Sequence, residues 1–263
     1  MYQVQCINGL SRKSRGVTIL YYQKMKVLKP AITVLLMAHM KPTLEDSLVS
    51  LYNQTRLNDV QILLLDSGKW LGKDDEISKK LADTYNSFHK MPNLDWFFTG
   101  EPDNSKELYC PVAYWTNRVL DQGLIRGTYF CTFYDDDIYY PQFLEKMSGY
   151  MDAHPTCNAT WCSEQWEIVG KDGTETKVRV LEANRILTTE DQFDNAVDGM
   201  QVMMRTSVIM ENNIRFDEDT ENCRHSDGVF LEKFIKHAKE IHNVSEILCK
   251  HRFTPHSTYT PSA

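Results

Sequence analysis

Strand-sized apolar runs separated by amphipathic stretches are the feature that most restricts what this chain can fold into. Residues 31–38 form a continuous apolar run containing β-branched side chains, and residues 60–65 form a second. Runs of that length and texture predict strands buried on both faces. Between them, Pro42-Thr43-Leu44-Glu45 opens a helix with Thr43 as its N-cap and Leu44, Leu48 and Leu51 on its apolar face. The pattern continues with a helix over 74–88, a strand over 94–98, a helix over 111–122 and a strand over 127–134. A helix over 141–153 follows, carrying Phe143, Leu144 and Met147 inward. Strands alternating with helices of about 10 to 15 residues imply an α/β fold: a mostly parallel sheet flanked by helices.

After His154-Pro155 the texture changes. Residues 160–169 and 176–181 read as antiparallel strands around a Lys171-Asp172-Gly173 turn. Residues 202–209 fit a strand or a short helix, 226–237 a helix with Phe230, Leu231 and Phe234 inward, and 241–248 either type. Residues 1–30 lack a clear period and include the basic cluster Arg12-Lys13-Ser14-Arg15. They read as an N-terminal extension ahead of the fold. The expected organisation is therefore an extension (1–30), a first subdomain (31–155) and a second, mixed one (156–263), packed together.

Composition narrows the function. The chain has 263 residues, is 42% hydrophobic and carries a formal net charge of −7. That suffices for a sizeable core, and an acidic surface makes nucleic acid an unlikely partner by charge alone. No apolar run approaches the roughly 18 to 20 residues of a membrane-spanning helix; peripheral contact with a membrane stays open. The 7 cysteines are scattered, with no CxxC pair, so neither a disulfide framework nor a zinc cage is indicated. They read as reduced thiols of a cytoplasmic protein, which makes the sequons at Asn53, Asn158 and Asn243 chance occurrences.

Ligands of parallel α/β sheets bind beyond the carboxyl ends of the strands. Two acidic strand ends fall there, Asp66 and the triplet Asp135-Asp136-Asp137. Adjacent carboxylates repel one another unless a cation neutralises them. Mg2+ is commonly held by one or two carboxylates together with substrate phosphates. The triplet is therefore a candidate metal–diphosphate site. On its own it equally fits a solvated acidic turn ahead of the helix at Pro141.

The surroundings favour the first reading. Phe133-Tyr134-Asp135-Asp136-Asp137-Ile138-Tyr139-Tyr140-Pro141, followed by Phe143-Leu144, resembles the DxD region of glycosyltransferase family 2. Ile32-Thr33-Val34-Leu35-Leu36 with the helix end Asn53-Gln54-Thr55 resembles the family's first strand and its S-x-x-x-Q-T element. The run from Val60 to Asp66-Ser67-Gly68 resembles its second strand, and Ala113-x-x-x-Asn117 with Gly127-Thr128-Tyr129-Phe130 the elements leading into the acidic motif. Order and spacing agree over residues 31–155. Within the family the likeness is greatest to the branch of spore-coat polysaccharide synthesis, through the run from Asp135 to Pro141 and through Asp152-Ala153-His154-Pro155. It thins toward the C-terminus, where Asp198-Gly199 and Asp227-Gly228-x-Phe230-Leu231 resemble the acceptor side and the catalytic-base segment.

The resemblance implies a GT-A fold and an inverting, metal-dependent transfer of sugar from a nucleoside-diphosphate donor, usually UDP-linked, to an acceptor hydroxyl in polysaccharide or glycoconjugate synthesis. It implies nucleotide contacts from Met37, His39, Asp66, Ser67, Lys106 and Asp135, with His39 replacing a base-stacking tyrosine. Asp136 and Asp137 would hold Mn2+ or Mg2+, with a late histidine, His256 or His251, completing the shell. Asp227 would be the general base, and Asp198 the alternative base or a ligand of the acceptor hydroxyl. Each position has a plainer reading: Asp66 a strand-end turn residue, His39 a buried structural histidine, Asp227 the N-cap of its helix. Departures from the family pattern cluster where base and ribose bind: the first strand runs out in Met37-Ala38-His39-Met40, and the second acidic residue after strand two is Ser67.

Two other classes compete. A nucleotidyltransferase would carry a Gly-rich phosphate loop after the first strand, whereas residues 37–42 contain no glycine. A non-catalytic carbohydrate-binding relative would not need the acidic triplet together with Asp227.

Overall fold

The computed structural model describes residues 29–38, 43–66, 75–91, 93–99, 111–170, 173–191, 193, 197–219 and 225–255. Four parallel strands open the fold: β1 (Ile32–Ala38), β2 (Val60–Asp66), β3 (Leu94–Phe98) and β4 (Tyr129–Tyr134). Helices α1 (Leu44–Tyr52), α2 (Asp75–Phe88) and α3 (Pro111–Asp121) connect them. After β4 come a two-residue strand β5 (Ile138–Tyr139), helix α4 (Phe143–Ala153), and the paired strands β6 (Ala159–Val169) and β7 (Glu175–Leu181). The last described elements are β8 (Leu187–Thr188), a 3-10 turn (Gly199–Gln201), β9 (Val202–Arg205), α5 (Thr206–Glu211), α6 (Ser226–Ala238) and β10 (Glu240–Phe253).

The strands form one sheet in the order β3-β2-β1-β4-β9-β6-β10-β5, with β7 on β6 and β8 on β10. Because β9 is antiparallel to both β4 and β6, and β10 is parallel to β6, strands β6 and β10 run the same way as β1 to β4. The architecture is the mixed α/β one, with a largely parallel central sheet and helices on both faces.

Alternation along the strands divides the core in two. Leu35, Met37, Leu63 and Leu65 face a cluster shared with Ala113 and Val119 of α3 and Phe230, Leu231 and Phe234 of α6. Val34, Leu36, Ile62 and Leu64 face the other, shared with Leu44, Leu48 and Leu51 of α1 and Phe143, Leu144 and Met147 of α4. Two polar residues in these apolar strands are satisfied internally. Thr33 Oγ1 donates to Gln61 Oε1 at 2.8 Å, and Gln61 Nε2 donates to the Leu124 carbonyl at 3.1 Å. The Gly127 amide donates to Thr33 Oγ1 at 2.8 Å, and a Cβ at Gly127 would collide with the backbone of Ile32 and Thr33. A glycine is required there for close backbone approach.

The structure departs from the sequence expectations in particular places. Thr43 stands at the N-cap of α1 but is helical (φ −86°, ψ −7°) and makes no side-chain capping bond. The ambiguous segment 202–209 is both expected things in turn, a strand and then a helix, because Val202, Met203 and Met204 complete the sheet between β4 and β6. The ambiguous segment 241–248 belongs to a 14-residue strand that bulges between Val244 and Cys249. Its mixed periodicity follows from those register shifts. Of the turn expected at residues 171–173, Gly173 is described, at φ +80°.

Candidate active site

Strands β1 to β4 all deliver their carboxyl ends to one edge of the sheet, and the strand order reverses between β1 and β4. Asp66 is the last residue of β2, and the acidic triplet follows the last residue of β4. Asp135, Asp136 and Asp137 are 1%, 4% and 0% exposed. A solvated acidic turn is therefore excluded. Burying adjacent carboxylates is costly unless their charge is compensated.

The loop that carries them is fastened on several sides. Ser47 Oγ of α1 donates to the Asp137 carbonyl at 2.7 Å, and Ser50 Oγ accepts from the Tyr139 amide at 3.2 Å. Gln54 bridges the next stretch: its Nε2 donates to the Tyr140 carbonyl at 2.9 Å while its Oε1 accepts from the Leu144 amide at 3.0 Å. The Thr55 amide donates to the Pro141 carbonyl at 2.8 Å. From β10, Arg252 Nε donates to the Asp136 carbonyl at 2.9 Å, and the same guanidinium pairs with Asp46 at 3.1 Å. Gln54 and Thr55, just past the end of α1, are thus a clamp for the acidic loop.

Strand β10 also brings His251 to the triplet, with Nδ1 lying 3.3 Å from Asp137 Oδ1. The same nitrogen is 3.6 Å from Asp198 Oδ2 and 3.9 Å from Glu164 Oε1. Glu164 is the register neighbour of Cys249 on β6 and is 0% exposed. Burial, then the charges of Asp198 and Asp137, push its carboxyl well above the usual range. Asp198 opens the 3-10 turn as a capping box: its side chain accepts from the Met200 amide, and Gln201 accepts from the Asp198 amide. One ligand atom from each of Glu164, Asp198 and His251 lies within 4.8 Å of the others. Oxygen and imidazole donors gathered so closely suit a divalent cation.

Asp227 stands in the first turn of α6, with His225 rather than Asp227 at the N-cap. Its Oδ2 accepts from the Gly199 amide at 3.0 Å and its Oδ1 from the Gly228 amide at 2.9 Å. Burial, then the negative charge of Asp198, pushes its pKa up to about 6; the two amide bonds oppose that shift. A carboxylate with a pKa near neutrality, fixed by backbone donors, is suited to taking a proton. A Cβ on Gly199 would come within 3.1 Å of Asp227 Cβ and 3.4 Å of the Tyr134 hydroxyl, so glycine keeps this junction open.

The remaining expected residues divide into three groups. Asp66 is fully buried, its Oδ2 accepts from Trp96 Nε1 at 3.0 Å, and its carbonyl accepts from the Thr99 amide at 2.8 Å. Met37 is 5% exposed and belongs to the core, with Thr116 Oγ1 donating to its sulfur at 3.9 Å. His39, Ser67, Lys106 and His256 lie outside the described residues. The structure therefore gathers Asp137, Asp198 and Asp227 with His251, from four separate parts of the chain. Sequence reasoning did not single out Glu164 or Arg252, and it named Gly199 only as part of the Asp198-Gly199 resemblance, without a role. Glu164 sits in a strand that also carries Ser163, Gln165 and Glu167 and so did not stand out; Arg252 grips a backbone carbonyl and Gly199 offers its own amide, and neither leaves a mark in the sequence.

No protein-family model matches this sequence, and no curated protein sequence does. Solved structures match its fold. One is S. aureus TarS 1-349 in complex with UDP-GlcNAc, with a TM-score of 0.60 and 15% identity, over 84% of this chain and 58% of that one. Another is the mannosyltransferase PcManGT from Pyrobaculum calidifontis in complex with GDP-Man and Mn2+, with a TM-score of 0.58 and 14% identity, over 88% of this chain and 59% of that one. The chain thus spans less than two thirds of these structures, and the likeness is one of fold. No helix among the described residues is long and apolar enough to cross a membrane.

Proposed function

We propose that this chain is a metal-dependent, inverting glycosyltransferase of the GT-A type. It would transfer a sugar from a nucleoside-diphosphate donor, UDP-linked by the family 2 resemblance, to an acceptor hydroxyl of a carbohydrate or glycoconjugate. The observation that carries this reading is the buried acidic triplet at the end of β4 meeting His251, with Asp227 nearby, in a fold shared with a UDP-GlcNAc complex and a GDP-Man–Mn2+ complex.

Residues 31–155 would form the donor half and 156–263 the acceptor half. Asp135 would contact the ribose, while Asp136 and Asp137 with the late histidine His251 would hold the cation, which when bound neutralises charge on the departing diphosphate. Asp227 would accept the proton of the attacking hydroxyl, its carboxylate aimed by the Gly199 and Gly228 amides. An inverting transfer needs one such base and no covalent enzyme intermediate. A reduced, cytoplasmic setting would keep Cys131, Cys157, Cys162 and Cys249 as buried thiols, with the sulfurs of Cys162 and Cys249 3.7 Å apart across β6 and β10.

Calorimetry with UDP, GDP and dTDP, each with and without Mn2+ or Mg2+, tests the reading. One diphosphate should bind in a metal-dependent manner. Equal, metal-independent binding of all three, or binding of none, would overturn it.

A further inference from the structure

Glu164 poses a problem that the transfer reaction does not solve. It lies within the central sheet, 0% exposed, and neither carboxylate oxygen has a hydrogen-bond partner in good geometry; the Trp166 side chain, two residues along β6, gives it only a minor stabilising contact. Leaving a buried carboxyl unsatisfied costs about 1–3 kcal/mol, and more if it is charged. The acidic groups around it worsen matters, since Asp198 and Asp137 both act on it electrostatically. The ion-pair partner that Glu164 and Asp198 share is His251, at 3.9 and 3.6 Å. Its imidazole can serve as a nitrogen ligand when neutral.

The geometry points to a cation site built from protein alone, in which Glu164, Asp198 and His251 hold a divalent transition-metal ion before any nucleotide arrives. This deepens the glycosyltransferase reading, which requires only that metal and diphosphate bind together. Mg2+ sites that depend on substrate use one or two carboxylates and recruit phosphates for the rest. Here two carboxylates and an imidazole already converge within 4.8 Å, with Asp137 against the imidazole from the donor side. The mixture of oxygen and nitrogen donors suits Mn2+ and its first-row neighbours.

The assignment also separates two nearby carboxylates by task. Asp198 turns toward His251 and belongs to the cation, whereas Asp227 is aimed by the Gly199 and Gly228 amides and keeps its carboxylate for a proton.

Titration of the nucleotide-free full chain with Mn2+, followed by loss of the free-ion electron paramagnetic resonance signal, tests the proposal. One ion should bind. Glu164→Gln, Asp198→Asn and His251→Asn should each weaken binding about tenfold or more, a loss that supporting groups at metal sites already produce. Circular dichroism establishes that each variant is folded, and the partly exposed His251 and Asp198 keep the test available should Glu164→Gln misfold. Mn2+ binding only in the presence of a nucleoside diphosphate would overturn the proposal, as would wild-type affinity in folded Glu164→Gln or in both other variants. Mn2+ binding without any affinity for nucleoside diphosphates would leave this site standing and remove the glycosyltransferase reading instead.

Discussion

The Gly199 amide donates to Asp227 Oδ2 at 3.0 Å, one residue after the carboxylate of Asp198 that faces His251. A single peptide unit thereby joins the candidate base to the candidate cation site. The side chain of residue 198 serves one and the backbone of residue 199 the other. Removing either carboxylate should consequently have a distinct signature.

Asp227→Asn is nearly isosteric and should leave folding and nucleotide Kd close to unchanged. It removes the proton acceptor, so kcat should fall by about 10² to 10⁴, the usual worth of general-base catalysis. Raising Mn2+ should not restore it. Asp198→Asn should also lose turnover, but recover part of it at high Mn2+. Steady-state kinetics across a metal series distinguishes the two, and the reverse pattern would mean that the roles are exchanged.

The raised pKa of Asp227, about 6 against 3.8 for a free side chain, sets two pH dependences of opposite sign. Activity needs the carboxylate, so kcat/KM should climb to a plateau as pH rises through about 6. Stability behaves the other way. Between about pH 4 and 6 the native state holds a proton that the unfolded chain has already lost, so this residue's contribution is fullest below pH 4 and disappears as pH passes 6. Chemical denaturation across that window, wild type against Asp227→Asn, reads the second effect. A stability difference that does not vary with pH there would contradict the shift.

The acidic triplet should not behave uniformly. Asp137 reaches His251 with its side chain, while the Asp136 carbonyl is held by Arg252. Asp137→Asn should abolish metal-dependent nucleotide binding in calorimetry. Arg252→Ala should weaken that binding by loosening the loop, with no direct loss of a ligand. Wild-type nucleotide affinity in Asp137→Asn at saturating metal would remove Asp137 from the site.

Gln54 fastens the backbone on both sides of Pro141. Gln54→Ala strands a buried amide and carbonyl and should destabilise the fold by about 1–3 kcal/mol. Urea denaturation would show a lowered midpoint with little change in slope. A change within about 0.5 kcal/mol, the range of ordinary surface substitutions, would mean that the clamp is dispensable.

What the sequence determined by itself was the local and periodic part. Apolar runs of strand length fixed the positions of β1 to β4, and the inward faces of α1, α4 and α6 were visible as leucine and phenylalanine spacing. The acidic triplet was legible because consecutive carboxylates at a strand end are electrostatically unfavourable without a partner. Tertiary structure decided everything that depends on which strands lie side by side. Residues 241–248 gave no clear period because β10 pairs with β6 through bulges, and the antiparallel pairing of β10 with β5, Lys250 opposite Ile138, sets His251 beside Asp137, 114 positions away in the chain. Glu164 drew no notice as one of two glutamates in β6; only the assembled sheet removes it from water and surrounds it with Asp198 and His251. The loop clamp was half visible, as a glutamine and threonine at a helix end, but its purpose depends on carbonyls and amides some 86 to 90 residues further along. Backbone groups are the same in every residue, so what they hold is settled by the fold and not by the letters.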